Sequence, residues 1–211
     1  MKTRLALVLF HVLLMLLPTA GARAQPARSP MSVSPAMLAR VDQESEAVLL
    51  RLYRLSPRAR AVLARAFGTL IVPGLRADGG ILGVAYGRGV LIEAGGERTY
   101  YNVIAGPPGA ILGLDGKSLV LFFSTQDALQ TFLAAPGWVE GENGAIQILD
   151  EQALTGPRGP APGPIAGFIL ADDHLARGLS LSGSLFIKVP MFLCSDASAA
   201  CAADGAMLQG R

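Results

Sequence analysis

Residues 68–123 read GTLIVPGLRADGGILGVAYGRGVLIEAGGERTYYNVIAGPPGAILGLDGKSLVLFF. Thirteen of the chain's 25 glycines fall between Gly68 and Gly116, interleaved with short Val, Ile, Leu and Tyr runs. That texture predicts strands at Thr69–Leu75, Ile81–Tyr86, Val90–Ala94, Arg98–Ile104 and Leu119–Ser124. Gly95-Gly96 marks a tight hairpin between the third and fourth of them. Glycine repeated inside strands goes with bulges, sharp bends and close backbone approach, so the expected sheet is curled. Leu119 to Phe123 is apolar at every position, which predicts a strand covered on both faces.

Upstream the texture is helical. Leu38, Val41, Val48, Leu52 and Leu55 recur at helical steps, with a gap at Ser45. Ser34-Pro35 and Ser56-Pro57 each set an N-cap residue before a proline at the first helical position. The second helix is predicted from Pro57 to Phe67, with Gly68 as its left-handed stop. Downstream, Ser124 or Thr125 can cap a helix from Gln126 to Ala135, with Asp127 near its positive end and Pro136-Gly137 as its stop. Trp138 is expected to anchor that helix to the sheet. Gly156 to Pro164 reads as a loop. Leu179, Leu181, Leu185, Ile187 and Val189 alternate with Ser180, Ser182, Ser184, Phe186 and Lys188, and that period of two predicts a strand. With no repeat and no obvious second domain, residues 35–193 read as a single domain.

The ends carry different signals. Lys2 and Arg4, the apolar run Leu5–Leu17 and the small residues up to Ala24 have the form of a secretory signal peptide spanning 1–24. Residues 25–34 are Pro- and Ser-rich and read as a flexible leader. Cleavage after Ala24 leaves 187 residues with 15 basic and 16 acidic side chains, a net charge of −1. Nucleic-acid binding by bulk basicity then has no support, and the expected location is periplasmic or secreted. Residues 194–211 read as a flexible tail, in which Cys194 and Cys201 can form a small-loop disulfide. Their spacing, with no histidine nearby, is poor for zinc.

Catalytic and cofactor motifs are incomplete. His174 is the one histidine beyond the predicted leader peptide. It could be combined with Asp172 or Asp173 and with Ser180 or Ser182, but no G-x-S-x-G elbow is present. Gly116-Lys117-Ser118 resembles the end of a phosphate-binding loop. Ile111 stands where that pattern needs glycine, and a strand follows instead of a helix, so a turn before a strand is expected and no nucleotide. The acid pairs Asp172-Asp173 and Glu140 with Glu142 lack calcium-loop spacing. No metal, cofactor or enzymatic activity is expected.

Charge is unevenly placed. Between Ala47 and Ala77 lie Arg51, Arg54, Arg58, Arg60, Arg65 and Arg76 and no acid, whereas from Asp115 onward ten acids face five bases. Arg51 and Arg54 are three apart, Arg58 and Arg65 seven apart, so each pair is expected on one helical face. Arg54, Arg58 and Arg65 are the candidate contacts to anionic lipid headgroups, each worth ~1 kcal/mol.

The stretches ARAFGTLIVPGLRADGGILGVAYGRGVLI, GAILGLDGKSLVLFFSTQDALQTF, GWVEG and GLSLSGSLFIK, in that order, resemble the SYLF domain, a family of lipid-binding and actin-binding modules with exported bacterial members. The resemblance spans about Ala61 to Lys188. It implies an α+β fold with N-terminal helices packed on a strongly bent, mainly antiparallel, barrel-like Gly-rich sheet, and no catalysis. It also implies affinity for anionic phospholipid or another amphipathic lipid. The lysine-rich actin-contacting features of eukaryotic relatives have no counterpart here. The expected function is a non-catalytic exported module associating with the membrane through a basic helical face. The alternative is an envelope structural or protein-interaction domain without a lipid ligand.

Overall fold

The computed structural model describes residues 35–77, 84–105, 111–155 and 162–189. The expected signal peptide, the leader and the tail with Cys194 and Cys201 lie outside the described residues. Helix α1 (Pro35–Leu55) buries Val41, Ser45, Val48 and Leu52, one stripe at helical spacing that includes the serine gap. Ser56 breaks the helix in extended conformation, and Pro57 restarts it as α2 (Pro57–Leu63). Ser56 is buried and supplies no side-chain cap, contrary to expectation. Helix α2 also stops four residues early. Phe67 already donates its N–H to the carbonyl of Phe123, so the chain has joined the sheet before Gly68. Gly68 is therefore the first residue of a strand and not a helix stop.

Among the described residues nine strands follow: β1 (Gly68–Val72), β2 (Arg76–Ala77), β3 (Ala85–Glu93), β4 (Arg98–Ala105), β5 (Ser118–Phe123), β6 (Gly137–Val139), β7 (Ile146–Ile148), β8 (Ile165–Leu170) and β9 (Leu185–Lys188). Eight of them run in the order β6-β9-β4-β3-β1-β5-β8-β7, with β2 pairing β3 off that path. Only β7–β8 is parallel. Short helices among the described residues intervene: α3 (Ile111–Leu114), α4 (Gln126–Ala134) and α5 (Glu151–Thr155). The class is α+β, with the N-terminal helices lying on a strongly curled, mainly antiparallel half-barrel sheet.

The glycines of β3 make the curl possible. The β1–β3 register ends at Ile71 opposite Val90, and β2 resumes at Arg76 opposite Tyr86. Four residues, Val72–Leu75, therefore span three on β3, which is a bulge. The bulged chain lies directly on Gly87 and Gly89. A Cβ at Gly89 would come 2.5 Å from the Ile71 carbonyl oxygen, and one at Gly87 2.6 Å from Val72 Cγ1. Residues 85–86 and 90–93, expected in two separate strands (Ile81–Tyr86 and Val90–Ala94), belong to one, because β3 runs on through these glycines; residues 81–83 lie outside the described residues. At its far end Gly96, with φ 89°, closes the expected hairpin as a three-residue loop between Glu93 and Glu97.

The sheet has a core on each face. On the concave side Phe132 of α4 sits among Tyr101, Phe123, Trp138 and Phe186, with ring centroids 5.0–5.8 Å apart. Trp138 thus joins α4 to the sheet as expected. Thr125 is the cap of α4, accepting from the N–H of Ala128 at 3.3 Å. On the convex side α1 and α2 cover Ile71, Val120, Phe122, Ala166, Phe168 and Leu170. Strand β5 is buried at every position, as its sequence demands.

The alternating C-terminal stretch behaves differently from its pattern. Gly183 turns the chain at φ 72°, so only Leu185–Lys188 is a strand. Phe186 is the buried residue there, and Leu185 and Ile187 are half-buried. The aromatic cluster recruits the larger side chain, and the phase of the alternation inverts.

Tyr101 is fully buried in the concave core and its hydroxyl has no partner. Burial first, and the charge of Glu93 second, push its ionisation up to about 12. An unfolded tyrosine ionises near 10. The raised value therefore contributes stability that is complete below pH ~10 and lost as pH rises toward 12. Tyr101→Phe should be neutral or stabilising at pH 7, since it removes an unsatisfied buried hydroxyl. It should also flatten the alkaline fall in stability. Urea midpoints measured from pH 7 to 11 check both, and an unchanged alkaline slope contradicts the assignment.

Candidate functional site

Two hydrogen-bonded attachments set the rotation of α1 on the convex face. Near its start, Asp42 accepts from Tyr100 Oη at 2.9 Å and from Arg98 at 2.7 Å, both on β4. Burial, followed by the Asp42 carboxylate, raises the Tyr100 ionisation. Near its end, Arg51 donates to Ser118 Oγ at 2.6 Å, and Ser118 donates on to the Pro73 carbonyl at 2.5 Å. Arg51 also lies 3.9 Å from Asp172.

Arg51 and Arg54 lie about 60° apart around α1, as their spacing implies, but their side chains are put to different uses. Arg51 lies over the start of β5, whereas Arg54 is exposed on the last turn. Arg58 and Arg65 do not share a helix, because α2 ends at Leu63. Both are nonetheless exposed, and each is steered by a neutral carbonyl: Arg58 by Leu154 O at 3.2 Å, Arg65 by Ala61 O at 3.2 Å. Arg60, between them, stacks on the Tyr53 ring with its guanidinium carbon 4.7 Å from the centroid.

The acids lie elsewhere. Among the described residues the ion pairs are Arg40–Glu44, Arg51–Asp172, Arg98–Asp42, His174–Asp173 and Arg177–Asp150. Arg54, Arg58, Arg60 and Arg65 thus have no carboxylate within 4.0 Å among them. Two exposed apolar side chains accompany this group: Leu50, one turn before Arg54, and Phe67, two residues after Arg65.

Sequence reasoning reached Arg54, Arg58 and Arg65 but did not single out the Tyr53–Arg60 stack. Its two members straddle the Ser56-Pro57 break, so no uninterrupted helical spacing points to it. The Asp42–Tyr100–Arg98 attachment was equally invisible, because it joins residues 56 or more positions apart.

The catalytic alternative finds no assembled geometry. His174 Nδ1 lies 2.6 Å from Asp173, whose carboxyl that bond holds below the usual range. Both are exposed on a cleft of about 410 Å³ that also includes Leu55, Glu151, Leu175 and Arg177. Among the described residues no hydroxyl or thiol lines it. Ser180 instead accepts from the Ser182 N–H at 3.1 Å, closing its own turn. Gly116-Lys117-Ser118 is the expected turn, with Gly116 at φ 70° and the Ser118 hydroxyl engaged by Arg51 and Pro73. Three potential metal ligands do not gather anywhere among the described residues.

No family model matches this chain, and no curated protein sequence matches it.

The Arg51–Ser118–Pro73 relay is structural by its burial and partners. Ser118→Ala removes the acceptor of an arginine whose Nε already lacks one. It should lower unfolding free energy by about 1–2 kcal/mol, measured by urea denaturation. A change below about 0.5 kcal/mol, the range of an ordinary surface substitution, contradicts that role.

Proposed function

We propose that this chain is an exported, non-catalytic lipid-binding module of the SYLF type. In this reading it associates with anionic phospholipid through Arg54, Arg58 and Arg65, with Arg60 beside them. The observation that carries it is the set of exposed guanidinium groups around the α1–α2 break that no described carboxylate neutralises. Hydrogen bonds to the Leu154 and Ala61 carbonyls orient Arg58 and Arg65 without cancelling their charge. Exposed Leu50 and Phe67 add apolar surface of the kind that settles into a headgroup boundary. The export part rests on the charged, apolar and small-residue segments of 1–24. The motif order from Ala61 to Lys188 supports the family assignment.

Three arginines at ~1 kcal/mol each correspond to roughly a hundredfold in binding, enough for reversible peripheral contact and too little for anchoring. Ionic strength screens that attraction.

Co-sedimentation with phosphatidylglycerol and with phosphatidylcholine vesicles tests the reading. Anionic vesicles should recover the protein at low salt, and Arg54→Gln/Arg58→Gln/Arg65→Gln should weaken recovery by about a hundredfold while leaving thermal unfolding unchanged. Equal recovery on both vesicles, or a triple variant that binds as the parent does, overturns the electrostatic mechanism. Reproducible crosslinking to one envelope protein with no lipid copurifying would favour the protein-interaction alternative. Fractionation of expressing cells should place the chain in periplasm or medium with Gln25 as its first residue. A cytoplasmic chain retaining Met1 refutes export.

A further inference from the structure

A groove of about 340 Å³ opens on the convex face where α1 and α2 diverge from β1 and β3. Leu49 and Tyr53 form its α1 wall, Arg60, Leu63 and Ala66 its α2 side, and Ile92 part of its floor. Its volume is at the low end of the range of small-molecule sites, roughly 300–1,000 Å³. Two acyl tails do not fit that space; the start of one chain does.

The charge of the groove is one-sided. Glu93 borders it, but alternation along β3 sends the Glu93 side chain to the concave face with Leu91, the opposite face from Ile92. Its effect on Tyr101, which faces the concave core, agrees with that placement. The Arg60 guanidinium is thus the one charged group on the groove's own face among its described lining residues. It is held against the Tyr53 ring, 4.7 Å from the centroid, and has no carboxylate partner among the described residues. Stacking occupies a face of the guanidinium plane and leaves its N–H edge free. That edge is a fork suited to a planar carboxylate.

We infer that the groove is a seat for a single-chain fatty acid, with the carboxylate at Arg60 and the first part of the chain against Leu49, Leu63, Ala66 and Ile92. The apolar walls exclude a fully polar anion as the preferred occupant, and the lone cation selects against neutral and cationic amphiphiles. This inference rests on the lipid-binding reading but uses a different arginine from the three assigned to the membrane surface.

The test uses sodium dodecanoate below its micelle concentration, titrated into the whole protein with isoleucine and leucine methyl groups labelled for NMR. The expected result is saturable binding of one molecule that shifts the Ile92 and Leu63 methyls. Arg60→Gln should weaken it about tenfold, the equivalent of about 1.4 kcal/mol. Ala64→Trp, an exposed position on the groove wall, should block binding while preserving the methyl spectrum of the fold. Dodecyl maltoside and dodecyltrimethylammonium should bind at least tenfold more weakly. Shifts confined to methyls elsewhere, equal affinity for the three amphiphiles, or undiminished affinity in Arg60→Gln overturn the inference. Arg54→Gln/Arg58→Gln/Arg65→Gln separates it from the membrane reading, because that variant should still take up dodecanoate. Dodecanoate binding without vesicle binding in the parent would refute the surface and leave the groove standing.

Discussion

Strands β5 and β8 cannot face water on either side. All six residues of Ser118–Phe123 and all six of Ile165–Leu170 are buried. Where they pair, Leu121 stands opposite Gly167, and a Cβ on Gly167 would collide with the Val120 carbonyl and the Leu121 backbone. The centre of the sheet is therefore a close-packed, two-faced apolar layer, and the rest of the chain supplies its covers. Helix α4 and the Phe132–Trp138–Phe186 cluster close the concave face, while α1, α2 and part of α5 close the convex one. At about 1.5–3 kcal/mol for each large side chain withdrawn from water, no single polar contact in the molecule competes with this layer.

The polar contacts do something else: they choose which way α1 faces. Successive helical residues are 100° apart, so Arg54 points about 160° away from Leu52, which is buried. Asp42 near one end and Arg51 near the other hold that rotation against β4 and the start of β5. With the helix fixed, Leu50 and Arg54 must be presented outward. The basic surface is thus a consequence of where the apolar stripe and its two polar attachments lie.

What could be read from the sequence follows from the range of each signal. The stripe Val41, Val48, Leu52 and the run Leu119–Phe123 are local patterns with one physical solution each, and both formed as expected. The Gly95-Gly96 hairpin and the Thr125 cap are local too. Strand β8 was not legible, because IAGFIL has no alternation and its glycine is explained only by the residue it meets across the sheet. The end of α2 departs from its local signal for a related reason: the competing bond from Phe67 reaches Phe123, 56 positions away. In the last strand the alternation has the opposite phase from its leucine count, since side-chain size at Phe186 and a turn at Gly183 outweigh it. For the candidate surface, composition located the arginines, but spacing could not say that Arg51 turns inward or that Arg60 finds Tyr53.

The availability of those arginines nonetheless has a sequence-level cause. On a helix surface a cation is most readily neutralised by an acid three or four residues away. Arg40 illustrates it, pairing with Glu44 at 2.7 Å. From Ala47 to Ala77 the chain holds no acid, so Arg54, Arg58, Arg60 and Arg65 have no local partner available in any helical rotamer. Among the described long-range carboxylates, Asp172, Asp42 and Asp150 pair with Arg51, Arg98 and Arg177, and Glu151, in the cleft beside Leu55, makes no ion pair with these arginines. Carbonyls and an aromatic ring take their place, and these restrain a guanidinium while leaving its charge intact. A restrained side chain has less rotamer entropy left to lose in any further contact. Lysine at position 60 would carry the charge but not the planar fork that stacks on Tyr53.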